Sequence, residues 1–192
     1  TVSLTSTSGV LVVQFTSGSG SLTTGFALQF TCSDCEPEAH ESTVDFRNGE
    51  SLFDGFTVQN GYDRNASFGG GYLLAHTDLL NCTFTNNLGS GVHVEESAVE
   101  NCTFTHNGAK GFDGRKLTIR KCRSAHNSTY GISGSELTIS NCVVEDNSSD
   151  GIYYTGNCDV ENSIIRNNRY GIYLYSGSGK ISGCTISGNR SY

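Results

Sequence analysis

The chain has 192 residues, with 24 Gly, one Pro and neither Met nor Trp; 35% are hydrophobic and 16% charged. That is too little charge for a disordered polymer and too few apolar residues for a membrane protein. The net charge of −7, with Lys and Arg scattered, argues against nucleic acid, which requires a clustered basic face. No run of about 18 apolar residues is present to span a bilayer. Without an initiator Met or a signal-peptide pattern, the chain is expected to be processed or cut from something longer. Eight Cys and six Asn-x-Ser/Thr sequons point to the secretory route and to an extracellular or cell-surface location.

In chain order, residues 1–32 come first and read as two strands, Gly9–Ser17 and Thr24–Cys32, joined by a Gly/Ser turn. Leu11-Val12-Val13-Gln14-Phe15 followed by Gly25-Phe26-Ala27-Leu28-Gln29-Phe30 resembles the last two strands of a CUB domain. The segment is expected to be either the end of such a domain or an N-terminal cap. Residues 33–43 form a junction. Cys32 and Cys35 are disulfide candidates, not necessarily with each other.

From residue 44 to 192 the sequence repeats. Cys82, Cys102, Cys122 and Cys142 are spaced by 20, and Ser163 and Cys184 continue at steps of 21. Five residues after each stands an Asn: Asn87, Asn107, Asn127, Asn147, Asn168 and Asn189. A Gly followed by an apolar residue comes next, as in Gly111-Phe112 and Gly151-Ile152. Within each unit the alternation has period two, so the units are strands, three short ones per repeat. Stacked in register about 4.8 Å apart, they predict an all-β fold, a right-handed parallel β-helix with 20–21 residues per coil. Its inward columns would be the Cys series, Phe84/Phe104/Ser124/Val144/Ile165/Ile186, and Val92/Phe112/Ile132/Ile152/Ile172. Leu73, His93, Asp113, Ser133, Tyr153 and Tyr173 would form one outward column.

Phe46-Arg47-Asn48-Gly49-Glu50, Asp54 to Gly61 and Asn81 to Asn87 resemble the right-handed β-helix repeat family of large extracellular proteins. The resemblance implies the fold; that superfamily hosts both enzymes and scaffolds.

Candidate sites follow from the columns. Cys82, Cys102, Cys122 and Cys142 lie within disulfide reach of their neighbours, or pack as free thiols. His106, His126 and Asp146 share a turn column with Asn86 and Asn167, as ligands or as solvated turn groups. Tyr153, Tyr173 and Tyr175 make an outward aromatic patch suited to sugars or to an interface. Asn65, Asn81, Asn101, Asn127, Asn147 and Asn189 are the glycosylation candidates; the last three belong to the Asn column and would stay bare if it faces inward. No carboxylate pair recurs with a basic residue between, so no catalytic residue, resident metal or cofactor is expected.

The expected function is a rigid extracellular structural or interaction subunit, such as part of a filament like a flagellar hair. Self-association through open solenoid ends is expected, with glycans as further partners. The alternative is a carbohydrate-binding or carbohydrate-active lyase, hydrolase or epimerase on the same fold.

Overall fold

The computed structural model describes residues 44–46, 51–61, 70–73 and 76–191. The CUB-like pair, Cys32, Cys35 and Asn65 lie outside them. The described chain is all strand, bend and turn, wound into a parallel solenoid. Strands one coil apart pair in parallel in two sheets, of ten and seven strands. The smaller sheet stacks 57–59, 83–85, 103–105, 123–125, 143–145, 164–166 and 185–187. The larger holds the other strands of each coil. From coil to coil these merge into longer bent strands such as Phe112–Arg120, Ile132–Ser140 and Asp150–Glu161.

Alternation sets which side chains face in. The Cys and Phe84 columns are buried from Cys82 to Cys142 and from Phe84 to Ile165, and the Val92 column from Val92 to Ile152. Phe84 and Phe104 stack at 5.5 Å, and Phe104 meets Phe112 at 4.8 Å. Each fully buried side chain of this kind contributes about 1.5–3 kcal/mol. Ile186, on the last described rung, is half exposed.

Each coil turns at three corners, and the residue at each corner has positive φ. One corner holds Asn81, Asn101, Lys121, Asn141 and Asn162; another holds His76, Glu96, Lys116 and Glu136; the third holds Asn60, Asn86, His106, His126, Asp146 and Asn167. Left-handed backbone is costly for most L-residues and least so for Gly, Asn, Asp and His, which dominate two of these columns.

The Asn column lies just inside the third corner. Asn127 Nδ2 donates to Phe104 O at 3.1 Å and to Asn147 Oδ1 at 2.9 Å, and its N–H donates to the same oxygen at 3.0 Å. Asn127 Oδ1 in turn accepts from the N–H and Nδ2 of Asn107. The pattern runs from Asn87 to Asn189 and satisfies turn groups that would otherwise be buried unpaired. Ser124 interrupts the Phe column to serve this ladder, donating to Gly131 O at 2.7 Å and accepting from Asn127 Nδ2 at 3.2 Å.

Departures from 20 residues per coil are local. Glu136 is opposed by Gly156 and Asn157, and Tyr175 is an extra residue opposite Tyr154 and Thr155. One expected register is corrected. Tyr72, not Leu73, pairs with His93, because Gly71 occupies the slot of Val92.

Candidate functional site

The side chains with most chemistry project from the larger sheet, one residue after the Gly-apolar pair. Parallel pairing brings His93, Asp113, Ser133, Tyr153 and Tyr173 onto successive rungs. Asp113 is the hub. Its Oδ2 lies 3.3 Å from His93 Nδ1, its Oδ1 accepts from Ser133 Oγ at 2.7 Å, and Lys110 Nζ stands 3.1 Å from Oδ1. The other ring nitrogen of His93 faces Glu95 Oε1 at 3.4 Å, so the imidazole lies between two carboxylates. The His93 and Asp113 side chains are 15% and 19% exposed, which leaves an edge of the group open to a ligand. Burial works against the charged form of Asp113, but His93, Lys110 and Ser133 outweigh it and hold the carboxyl below its usual pKa.

Beyond Ser133 the face becomes aromatic. Tyr130 stacks on Tyr153 at 4.8 Å and 14°, and Tyr153 on Tyr173 at 5.9 Å and 5°. Tyr170 meets Tyr173 edge-on, with Arg169 over the Tyr170 ring at 5.3 Å. Spacings this short between parallel rings are offset stacking. Stacking covers the ring faces only in part: Tyr130, Tyr153 and Tyr170 are half-buried and Tyr173 is exposed. Burial raises the pKa of Tyr130, helped by Asp150 and the neighbouring Tyr rings, so its phenol stays a hydrogen-bond donor. Burial also raises that of Asp150, which sits behind this strip.

A profile of the family described as "Right handed beta helix region" matches residues 42–191. The chain belongs to this family. Solved β-helices of similar shape include the pectate lyase Pel9A, at 14% identity and TM-score 0.61, covering 86% of this chain and 51% of that one. The periplasmic alginate epimerase AlgG, as its T265N mutant, is similar at 11% identity and TM-score 0.66, covering 76% and 42%. The A-module of the Azotobacter vinelandii mannuronan C-5 epimerase AlgE4 is similar at 18% and 0.53, covering 77% and 46%. The chain thus spans about half or less of each neighbour, and at these identities the likeness is one of fold. No curated protein matches.

Within this β-helix the other candidate residues fall as follows. Cys82, Cys102, Cys122 and Cys142 are stacked as free thiols, the second of the two readings their spacing allows. Parallel stacking points every Cβ the same way. Each sulfur instead donates to the carbonyl two residues earlier, as Cys102 does to Glu100 O at 3.2 Å and Cys142 to Ser140 O at 3.2 Å. Cys82 N–H donates to the sulfur of Cys102 at 3.4 Å, and Ser163 Oγ takes the same role for Cys142 N–H at 3.1 Å. Asn127 and Asn147 are buried in the ladder with their amides engaged, so neither has room for a glycan in the folded chain. Asn189 Nδ2 is likewise bonded to Ile165 O. Asn81 and Asn101 are exposed corner residues; Asn101 Nδ2 donates to Asn81 Oδ1, and Asn81 Nδ2 to Asp54 Oδ1. Tyr173 and Tyr175 are exposed as expected, but Tyr175 lies on the bulge, 6.4 Å from Tyr153 and tilted away from the stack.

Basic residues do stand beside single acids in three dimensions. Lys110 reaches Asp113, and on the smaller sheet Glu145 is clamped by Arg123 Nη2 at 2.7 Å and Arg166 Nη2 at 2.6 Å. The Glu145 side chain is only 8% exposed. Burial opposes its charge, and the two guanidinium groups still hold its pKa below the usual value. The His93–Asp113–Ser133 relay was available to the 20-residue step but hidden by the mixed residue types. Lys110 sits three residues before Asp113, across the glycine turn.

Proposed function

We propose that this β-helix binds an extracellular polysaccharide along the His93–Tyr173 face. The carrying observation is one outward column that joins a bracketed carboxylate, at Asp113, to a row of stacked phenols. A polysaccharide is a linear array of hydroxyls and, in acidic forms, carboxylates. A straight row of rungs about 4.8 Å apart offers it repeating donors and acceptors. Lys110 and Arg169 supply positive charge at the two ends of the strip. The contact is by hydroxyl, ring edge and the uncovered part of the ring faces.

The named activities of similar β-helices select the first ligands to try, pectate and alginate, beside a neutral glucan. Retardation in gels containing each polymer is the test. The expected result is retardation that weakens in Tyr173→Ala and Asp113→Asn; equal mobility in every gel would reject the reading. A passive subunit of a surface assembly predicts that null result.

A second reading, proton transfer on the bound sugar, draws on one observation: His93 is held between Glu95 and Asp113, an arrangement suited to an acid–base group. It predicts formation of an unsaturated uronate end, or inversion at a uronate carbon, that His93→Gln abolishes while weakening binding far less.

A further inference from the structure

His106 and His126 lie apart from the proposed saccharide face, at the corner that leads into the Asn ladder. Both are exposed, on adjacent rungs, with φ of 57° and 55°, so their side chains leave the backbone in the same direction. Their ring centroids are 5.0 Å apart, with planes tilted by 32°. Among the described residues, no hydrogen bond or ion pair engages the ring nitrogens of either. Asp146, exposed and with φ of 55°, occupies the next rung of the same column. His106 also lines a shallow open depression with Asn86, Leu88 and Gly108, which gives solvent access from the side.

An imidazole nitrogen binds zinc at about 2.0–2.1 Å, and its ring centre lies roughly 1 Å further back. Two imidazoles on one tetrahedral ion therefore have centres about 5 Å apart, the spacing found here. We propose that His106 and His126 together bind one divalent transition-metal ion of the zinc or copper type. Among the described residues no three His, Cys, Asp or Glu side chains converge on one point. The site is thus a two-histidine one completed by water, with Asp146 adding negative charge one rung away. Imidazole pairs favour Cu²⁺ and Zn²⁺ over Ca²⁺ and Mg²⁺, which prefer oxygen ligands.

The test is titration of Cu²⁺ into the untagged chain, followed by electron paramagnetic resonance. One ion per chain with coupling to two imidazole nitrogens is expected, displaced by excess Zn²⁺. Either His106→Asn or His126→Asn should weaken binding about tenfold or more and remove the two-nitrogen signature. These variants should keep the fold, because the same column carries Asn86 and Asn167 at the same backbone geometry; an unchanged unfolding midpoint checks this. His76→Asn, at a different corner, should leave binding as it was. No binding, or binding that survives loss of either His106 or His126, would overturn the proposal.

Discussion

The Asn ladder and the outward His93 column are built by the same stacking, yet they differ in every other respect. The ladder repeats one residue on six rungs, is buried from Asn87 to Asn168, and spends its hydrogen bonds on its own amides and the adjoining backbone. The outward column changes residue at each rung from His93 to Tyr153 and repeats only at Tyr173, stays partly open, and joins unlike groups into a relay and a stack. At the ladder each amide meets the same backbone groups on every coil, so one residue type suits all of them, whereas the apolar inward columns need only an apolar side chain on most rungs. An outward position is under no such constraint, and a departure from repetition there is where recognition chemistry can be placed.

The sharpest way to break this contrast is to damage the ladder. Asn127→Ala removes one amide and leaves Phe104 O and both Asn107 donors without their partner. At about 1–3 kcal/mol for each buried unsatisfied group, a loss of about 3 kcal/mol or more is expected in denaturant unfolding. Gly131→Ala comes next. Its Cβ would meet Val144 Cγ1 at 2.6 Å, Asn147 Nδ2 at 2.7 Å and Gly151 O at 2.7 Å, in a packed corner that cannot open. Overpacking of this kind costs about 1–3 kcal/mol by the same measurement.

Acid provides a smaller, graded probe of the outward charges. The pKa values of Asp113 and Glu145 are lowered by folding, so the unfolded chain takes up their protons first. Their stabilisation is complete above the ordinary carboxylate range, about pH 4, and is lost as pH falls through the lower folded-state values. The unfolding midpoint should therefore fall below about pH 4, and Glu145→Gln should flatten that fall. The smallest effect on stability is expected from Tyr173→Ala, within about 1 kcal/mol, because the ring is exposed. The same change should act mainly on ligand binding.

How much was legible in the sequence follows the same division. The inward columns were readable because Cys, Asn and Gly-apolar recur at a fixed step, and the structure keeps those registers from Cys82 to Cys184. The Cys column was in reach of disulfide formation by spacing alone; what spacing cannot show is that parallel neighbours hold their sulfurs side by side, each bonded to its own backbone. Three of the six sequons fall on the ladder itself, where the Asn is a structural need and a Ser or Thr two residues on completes the motif. The positive φ of the His106, His126 and Asp146 column explains why residues of this kind are tolerated there, a constraint that the repeat spacing does not display. The column that aligns His93, Asp113 and Ser133 was legible from the 20-residue step, but the hub was not, because Lys110 joins it from across the glycine turn and the bonding needs side-chain geometry.

The most direct test of the central claim, that the mixed outward column is the binding face and the ladder only the frame, is one paired measurement. Polysaccharide affinity and unfolding midpoint are determined together for the wild-type chain, Tyr173→Ala and Asp113→Asn. The expected result is at least tenfold weaker binding of an acidic polysaccharide, about 1.4 kcal/mol, with the midpoint of Tyr173→Ala near wild type and that of Asp113→Asn lowered only by the loss of its ion pairs at neutral pH. Unchanged affinity in both variants, or affinity lost only in step with the fold, would contradict it.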